Sequence, residues 1–249
     1  MKKHLLTSAI ATSTLAAASV FQAAPASALS FDGRLAIFGS GDVNQSFTVD
    51  FVDNFINSTP DNRLRSKATV TINGFSATGG QTNVTLGINL ANQSSIDSIL
   101  SAFGFNVGSI TNGILNDNVQ VREDKNNGTR ITSNTVGGST FDVTEFGNQA
   151  GFANLGKREV SFEAKQTPNG IHDGTNDSFT AILSLGSEVG EVTLYNFAAR
   201  YQEINASNLP TGSSGAGRAI PTPALLPGLV GLAFGALRKK QHTEAEQNV

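Results

Sequence analysis

Apolar and polar residues alternate with a period of two through much of the middle of the chain. The clearest stretch is 83–90, where Val84, Leu86, Ile88 and Leu90 share one side and polar or small residues the other. Such alternation gives a strand one buried face and one wet face, which is typical of antiparallel sheets. The pattern therefore predicts a mainly β domain.

Further segments carry the same signal, and pairs rich in Gly and Asn separate them. The strand candidates are 47–52, 68–75, 159–164, 178–185, 190–197 and 198–204, with weaker ones at 31–38, 118–122, 130–134 and 139–143. Turn signals are Asn73-Gly74, Gly79-Gly80, Asn127-Gly128, Gly137-Gly138, Asn169-Gly170 and Asp173-Gly174. Sheets with one apolar face bury it against each other, so we predict an antiparallel β-sandwich, with a jelly roll as one form.

One segment, 95–103, favours a helix. Its apolar residues follow the i, i+3, i+4, i+7 spacing, at Ile96, Ile99, Leu100 and Phe103. Ser94 is a suitable N-cap and Gly104 a suitable stop. We therefore expect one short helix in the domain, which we place at 29–205.

The first 28 residues have the three parts of a secretory signal peptide. Lys2 and Lys3 precede an apolar stretch of small residues, and Ala26 and Ala28 supply an A-x-A cleavage site. The alternative is an uncleaved anchor, but the stretch is rich in Ala, Ser and Thr and only weakly apolar. We expect a signal helix that is removed after Ala28.

The other end predicts a membrane helix. Residues 220–237 carry no charge, and as a helix they would span about 27 Å, close to a hydrocarbon core. The basic residues that follow, Arg238, Lys239 and Lys240, can snorkel and stop transfer, which would leave 241–249 in the cytoplasm. The Gly- and Ser-rich composition of 206–220 predicts a flexible linker to this anchor.

A proline motif lies at the start of this uncharged stretch: Pro221, Thr222, Pro223 and Ala224. With the helix and basic cluster, the 221–240 segment resembles a PEP-CTERM sorting signal, in the cyanobacterial variant with Thr in place of the commoner Glu. The nine residues after the cluster depart from the family's usual ending. The resemblance implies cleavage by an exosortase near the motif and transfer to the cell surface. A plain tail anchor would show the same helix and charges without the motif.

Two blocks of the middle, 101–106 and 195–204, loosely resemble the cistern-type group of PEP-CTERM proteins. In that group the Phe-Gly-Phe block of the first segment lies on a strand, which competes with the helix predicted from spacing. The resemblance brings no enzymatic activity with it.

Composition excludes several function classes. The chain has 17 Lys+Arg against 20 Asp+Glu, and five of the basic residues lie in the end segments, so no basic face for nucleic acid is expected. It has no Cys, which excludes disulfides and Cys-ligated metals. His172 is the single histidine between the two end segments. It lies in a turn-rich stretch, and we predict that it is a solvated loop residue.

We predict no catalytic residues. No nucleophile elbow is present, and four candidate acids show no spacing that selects a pair for glycoside hydrolysis: Glu145, Glu163, Glu188 and Glu191. Oxygen donors for calcium are concentrated in one loop at Asp173, Asn176 and Asp177, and a weaker one lies at 123–128. The simpler interpretation of both loops is tight turns built from Asp, Asn and Gly.

These observations predict an exported cell-surface or extracellular-matrix protein with a structural or adhesive role. Its expected partners are signal peptidase, an exosortase, the membrane through the C-terminal helix, and, by the resemblance, exopolysaccharide. The alternative is a carbohydrate-binding module assisted by calcium at Asp173, Asn176 and Asp177, with a secreted hydrolase least favoured. No other cofactor is expected.

Overall fold

The computed structural model describes residues 29–111, 114–122, 128–135, 141–143, 155, 158–165 and 170–219. Within these residues the fold is all-β, with no α-helix and a short 3-10 turn at Ser40–Asp42. The strands are β1 (Ser30–Phe31), β2 (Leu35–Gly39), β3 (Ser46–Ile56), β4 (Thr59–Pro60), β5 (Ser66–Thr78), β6 (Gln81–Asn92), β7 (Asp97–Thr111), β8 (Ile114–Asn116), β9 (Arg130–Thr135), β10 (Phe141–Val143), β11 (Val160–Ala164), β12 (Ile171–His172), β13 (Asn176–Leu185), β14 (Glu191–Asn205) and β15 (Ser213–Ala219).

The strands join in one antiparallel sheet. Its main order is β10-β11-β7-β14-β15-β3-β5-β6-β13-β9, and β2 adds to the edge of β14. The two end strands, β9 and β10, come close to each other, so the sheet nearly closes into a barrel. The predicted all-β antiparallel class is confirmed. The strands form one continuous sheet where a sandwich was expected, because alternation predicts a one-sided sheet but not how that sheet is closed.

The apolar side chains of the strands fill the inside of this curved sheet. The four apolar inward residues of β6, from Val84 to Leu90, are at most 1% exposed, as their alternation predicts. At the centre, the rings of Phe103, Phe105 and Phe197 have centroids 5.6–6.4 Å apart. Edge-to-face and stacked contacts at these separations add to the burial of the rings. Core packing is therefore the role of these phenylalanines.

The helix predicted at 95–103 is wrong, since most of that segment belongs to β7. Residues Ser98 to Phe105 are consecutively buried, because neighbouring segments cover β7 on both faces. On the outer face Leu155 packs over Ala102. Coverage of both faces removes the alternation of a strand, and what remains has helix-like spacing. Gly104 lies opposite Ala198 and Ser161 within the sheet and does not end an element.

The predicted turns have a mixed outcome. Gly79-Gly80 joins β5 to β6 with φ of +64° and +76°, and Gly174 turns between β12 and β13 with φ of +73°. Asn73-Gly74, in contrast, lies inside β5, where the register with β6 shifts by one residue. Segments 190–197 and 198–204 form one strand, β14, with an irregularity at their junction. The predicted boundary between them is therefore a bulge.

The flexible linker predicted at 206–220 requires correction, because β15 lies within it and pairs with both β14 and β3. Its glycines are required by close packing: a Cβ at Gly215 would lie 2.6 Å from the carbonyl oxygen of Phe55. A Cβ at Gly217 would overlap the side chain of Asn54. Small residues that indicate flexibility in a sequence here let strands approach closely. The sheet therefore extends to Ala219, beyond the predicted boundary at 205.

Candidate functional site

The most distinctive opening in the structure lies where two strands share one edge of β14. On that edge β2 pairs with residues 191–195, and β15 pairs with residues from Ala198 onward. Neither register includes Asn196 or Phe197. Asn196 has a left-handed φ of +53°, and the pairing with β7 shifts at the same point. The bulge and the divergence of β2 from β15 leave a gap in the outer surface of the sheet.

A cavity of about 530 Å³ occupies this gap. We call it the arginine cleft, because three of its lining residues are Arg34, Arg158 and Arg218. The other lining residues are Leu35, Leu155, Tyr195, Asn196, Phe197 and Ala219. Its volume falls within the range of small-molecule sites, about 300–1,000 Å³. Arg34 precedes β2, Arg218 lies near the end of β15, and Arg158 precedes β11.

The three guanidinium groups have different environments. Arg218 forms an ion pair with Asp53 and lies over the ring of Phe55, with 5.5 Å between its Cζ and the ring centroid. Arg158 is 9% exposed and donates from Nη1 to the carbonyl oxygen of Leu155 at 2.8 Å. Burial lowers the pKa of Arg158, and it remains a cation at neutral pH. Arg34 is exposed and forms no ion pair within the described part of the chain.

Among the described residues that line the cleft, none is acidic. Arg218 is paired with the Asp53 carboxylate, and Glu159 follows Arg158 in the sequence. The Glu159 carboxylate accepts a hydrogen bond from the Val107 amide at 2.6 Å, and burial raises its pKa. The charged side chains in the described lining of the cleft are therefore all basic, on a chain with net charge −3.

Tyr195 forms one wall of the cleft. Its side chain is half-buried, and its pKa is raised first by burial and then by the carboxylates of Glu159 and Asp117. The phenol is therefore protonated at neutral pH and can donate a hydrogen bond. Leu35 beside it is also partly exposed, whereas Phe197, at the back of the cleft, is 2% exposed and packs in the core. The described lining thus places a phenol and an aliphatic side chain beside three arginines.

The predicted calcium residues do not converge. Asn176 and Asp177 are successive residues of β13, with Asn176 exposed outside and Asp177 buried inside at 6% exposure. The Asp177 carboxylate accepts from the neighbouring Ser178 amide at 2.7 Å, and burial raises its pKa. Asp173 is exposed in the turn before β13, where the Gly174 amide donates to the carbonyl of Asn92. This placement agrees with the tight-turn interpretation of the loop.

The other candidate residues have simple environments. His172 is exposed, as predicted, but it lies on β12 opposite Ile99 and not in a loop. Glu188 accepts a hydrogen bond from the Gly80 amide at 3.0 Å. Glu163 lies beside Arg200, and burial raises its pKa. Among the described residues, no three acidic or histidine side chains gather to form a metal site.

Several predicted features fall on residues that the structure does not describe. These are the signal segment with Ala26 and Ala28, the loop residues 123–127, Glu145, and the sorting residues Pro221, Thr222, Pro223, Ala224, Arg238, Lys239 and Lys240. Over the residues that are described, no helix combines the length and apolar character needed to cross a membrane.

Sequence reasoning missed the arginine cleft. Its three arginines come from positions 34, 158 and 218, and no local motif connects them. Only the order of the strands brings the starts of β2 and β11 and the end of β15 together. One sequence feature could have pointed to the cleft. Charged residues are few in the chain and mostly acidic, and Arg34, Arg158 and Arg218 stand singly beside strand ends.

Comparison with known proteins adds no relative: no protein-family model matches the chain, and no curated protein or solved structure matches it significantly. The functional argument therefore depends on the residue patterns and on the geometry of the cleft. The nearly closed all-β domain gives the class of fold, and the segments at the two ends give the expectation of export.

Proposed function

We propose that the chain is an exported protein of the cell surface or extracellular matrix, with a structural or adhesive role. The observation that carries the proposal is the order of features after the domain: 18 residues without charge, 220–237, with a Pro-Thr-Pro-Ala motif near their start, and then the cluster Arg238, Lys239 and Lys240. Signal peptidase would remove residues 1–28, and an exosortase would recognise the segment 221–240. The chain would be a transient membrane protein before its release.

The domain between these segments suits an extracellular role. It contains no cysteine, so its stability depends on the sheet and the core and is insensitive to redox conditions. Its outer face carries an uncharged polar row in which Thr48 lies beside Thr69, and Asn89 donates to Ser178 at 2.6 Å. Hydroxyl and amide groups of this kind suit contact with hydrated polysaccharide. In this proposal the two halves of the curved sheet face each other, as in a β-sandwich. A signal helix precedes this domain in the sequence, and a membrane helix follows it.

The test uses the full chain in a bacterium that has an exosortase, and in the same strain without it. Mass spectrometry of the mature protein should show cleavage after Ala28 and a second cut near Pro221, and fractionation should find the product at the surface. Replacement of both prolines, Pro221→Ala with Pro223→Ala, should leave the tail uncut in the membrane fraction. Pro227→Ala, within the apolar segment, is the matched control and should be processed normally.

Two outcomes would contradict the proposal. One is an intact chain in the cytosol that retains residues 1–28. The other is normal processing of the double proline variant in the strain without an exosortase, which would show that a plain anchor or another protease accounts for the tail.

A further inference from the structure

We propose that the carboxylate of Asp42 is the binding site for the α-ammonium group that signal cleavage would create at Leu29. The inference rests on the proposed function, because cleavage after Ala28 is the step that turns the neutral Leu29 amide into a cation. It gives that cleavage a second effect besides release of the chain: the new terminus would form an ion pair with Asp42 and stabilise the start of the domain.

The first observation is the position of the Leu29 nitrogen. It donates to Oδ1 of Asp42 at 2.5 Å. The other carboxylate oxygen, Oδ2, accepts from the amide of Gly39, the last residue of β2, at 2.8 Å. After cleavage the same Leu29 nitrogen would be a terminal ammonium group, which is positively charged at neutral pH. The cation would therefore form within hydrogen-bond distance of a carboxylate, with no rearrangement of the chain.

The second observation is the burial of Asp42, which is 3% exposed. Its carboxylate accepts two hydrogen bonds from uncharged amides, and no Lys, Arg or His of the described residues forms an ion pair with it. Burial of a carboxylate is costly unless a cation and hydrogen bonds compensate for the water that it loses. The structure shows the hydrogen bonds, and the mature terminus would supply the cation.

The third observation is that the residues next to this nitrogen are packed. The Leu29 side chain packs against the hydrophobic core, and the following strand β1 places Phe31 opposite Ala36 of β2. The ring centroid of Phe31 lies 5.0 Å from that of Phe47. Chain ends that lack such contacts are usually frayed. Here the contacts already order the segment, so the ion pair would cost little further conformational entropy.

A simpler role for Asp42 is to cap the short turn at Ser40–Asp42 through its bond with the Gly39 amide. That role does not depend on the charge of the Leu29 nitrogen. The two interpretations therefore differ in one measurable respect, which is whether the stability of the domain changes when only that charge changes.

The test compares two chains that both end at Val249 and are purified in detergent. One begins at Leu29, and the other retains Ser27 and Ala28, so that its Leu29 nitrogen is a neutral amide. Because a charge-assisted hydrogen bond is stronger than a neutral one, the chain that begins at Leu29 should melt about 2–8 °C higher. Asp42→Asn, made in both chains, should reduce this difference to less than about 1 °C.

Asp32→Asn is the matched control. The Asp32 carboxylate also accepts two backbone hydrogen bonds, from the amides of Arg34 and Leu35, but it does not contact the Leu29 nitrogen. This variant should leave the difference between the two chains intact. If Asp42→Asn does not fold, the wild-type chain that begins at Leu29 is acetylated on its α-amino group. Acetylation removes the charge without adding residues, so this chain should melt with the longer one.

Three results would overturn the inference. They are equal melting temperatures for the two wild-type chains, an undiminished difference in Asp42→Asn, and an acetylated chain that melts with the free amine. The ends of these chains are defined in their preparation, so the result does not depend on export. A chain that is cut after Ala28 in the bacterium but shows no difference would refute only the inference. A chain that shows the difference but remains intact in the cytosol would refute the proposed function.

Discussion

At the scale of single residues, a buried polar network surrounds Tyr201 in the core. Tyr201 is fully buried, its hydroxyl lies 2.7 Å from that of Ser66, and it donates to Oδ1 of Asn54 at 3.3 Å. Asn54 in turn donates to the carbonyls of Phe51 and Leu64. Buried polar groups of this kind stabilise a fold only while each has its partner. The network ties β14 to β3 and β5 across the inside of the barrel.

Replacement of Tyr201 tests this network. Tyr201→Phe leaves Ser66 and Asn54 without their phenol partner, and we expect a loss of about 1–3 kcal/mol in the free energy of unfolding. Tyr195→Phe is the control, because that ring is half-buried at the surface, and its effect should stay within about 0.5 kcal/mol. Urea denaturation with an unchanged slope would measure both. Equal effects would show that the buried network adds no stability.

The same tyrosine predicts how stability depends on pH. Burial raises the pKa of Tyr201 far above its ordinary value, so the folded protein keeps the phenol protonated where the unfolded chain has lost that proton. The unfolded state then binds fewer protons, and stability must fall as pH rises above about 10. Urea midpoints of wild type and Tyr201→Phe at pH 8 and pH 11 should show a smaller fall in the variant. An identical fall would assign the base sensitivity to other groups.

At the scale of elements, the sequence predicts strands well wherever only one face is covered. The alternation of β6 is reproduced residue by residue, since its outer face meets water. Strand prediction from alternation fails at β7, where both faces are covered and the apolar spacing resembles that of a helix. It also fails at β15, where the glycines that close packing requires have the composition of a linker. In both cases the missing information is a contact with a segment distant in sequence, which local patterns do not contain.

The glycine of β15 that lies closest to its neighbours gives an element-scale prediction. In Gly215→Ala the new Cβ would lie 2.6 Å from the carbonyl oxygen of Phe55 and 2.7 Å from Leu64, so backbone must move. We expect a loss of about 1–3 kcal/mol, as for other overpacked sites. Gly190→Ala, where nothing lies within 4 Å, should be neutral or slightly stabilising. Thermal unfolding of both variants checks this, and a neutral Gly215→Ala would restore the linker interpretation.

At the scale of the whole molecule, β15 is the strand that connects the two parts of the sheet. One part runs from β10 to β14 and the other from β3 to β9, and the main hydrogen-bonded path passes between them through β15. This order also explains why the candidate site could not be predicted: the cleft forms only where β15 and β2 meet the same edge of β14. Motifs, charges and turns are local properties, but this convergence is a property of topology.

The position of β15 predicts how the molecule responds to truncation. A chain that ends at residue 209 would satisfy the linker interpretation, but it would expose the edges of β3 and β14 and divide the sheet. We expect it to lose its cooperative thermal transition and to bind a dye for exposed apolar surface, as loosely packed states do. A chain that ends at residue 220 retains β15 and should unfold cooperatively. Circular dichroism on the two chains, made in parallel, decides the matter: if the shorter one melts as sharply and at the same temperature, β15 does not hold the barrel together.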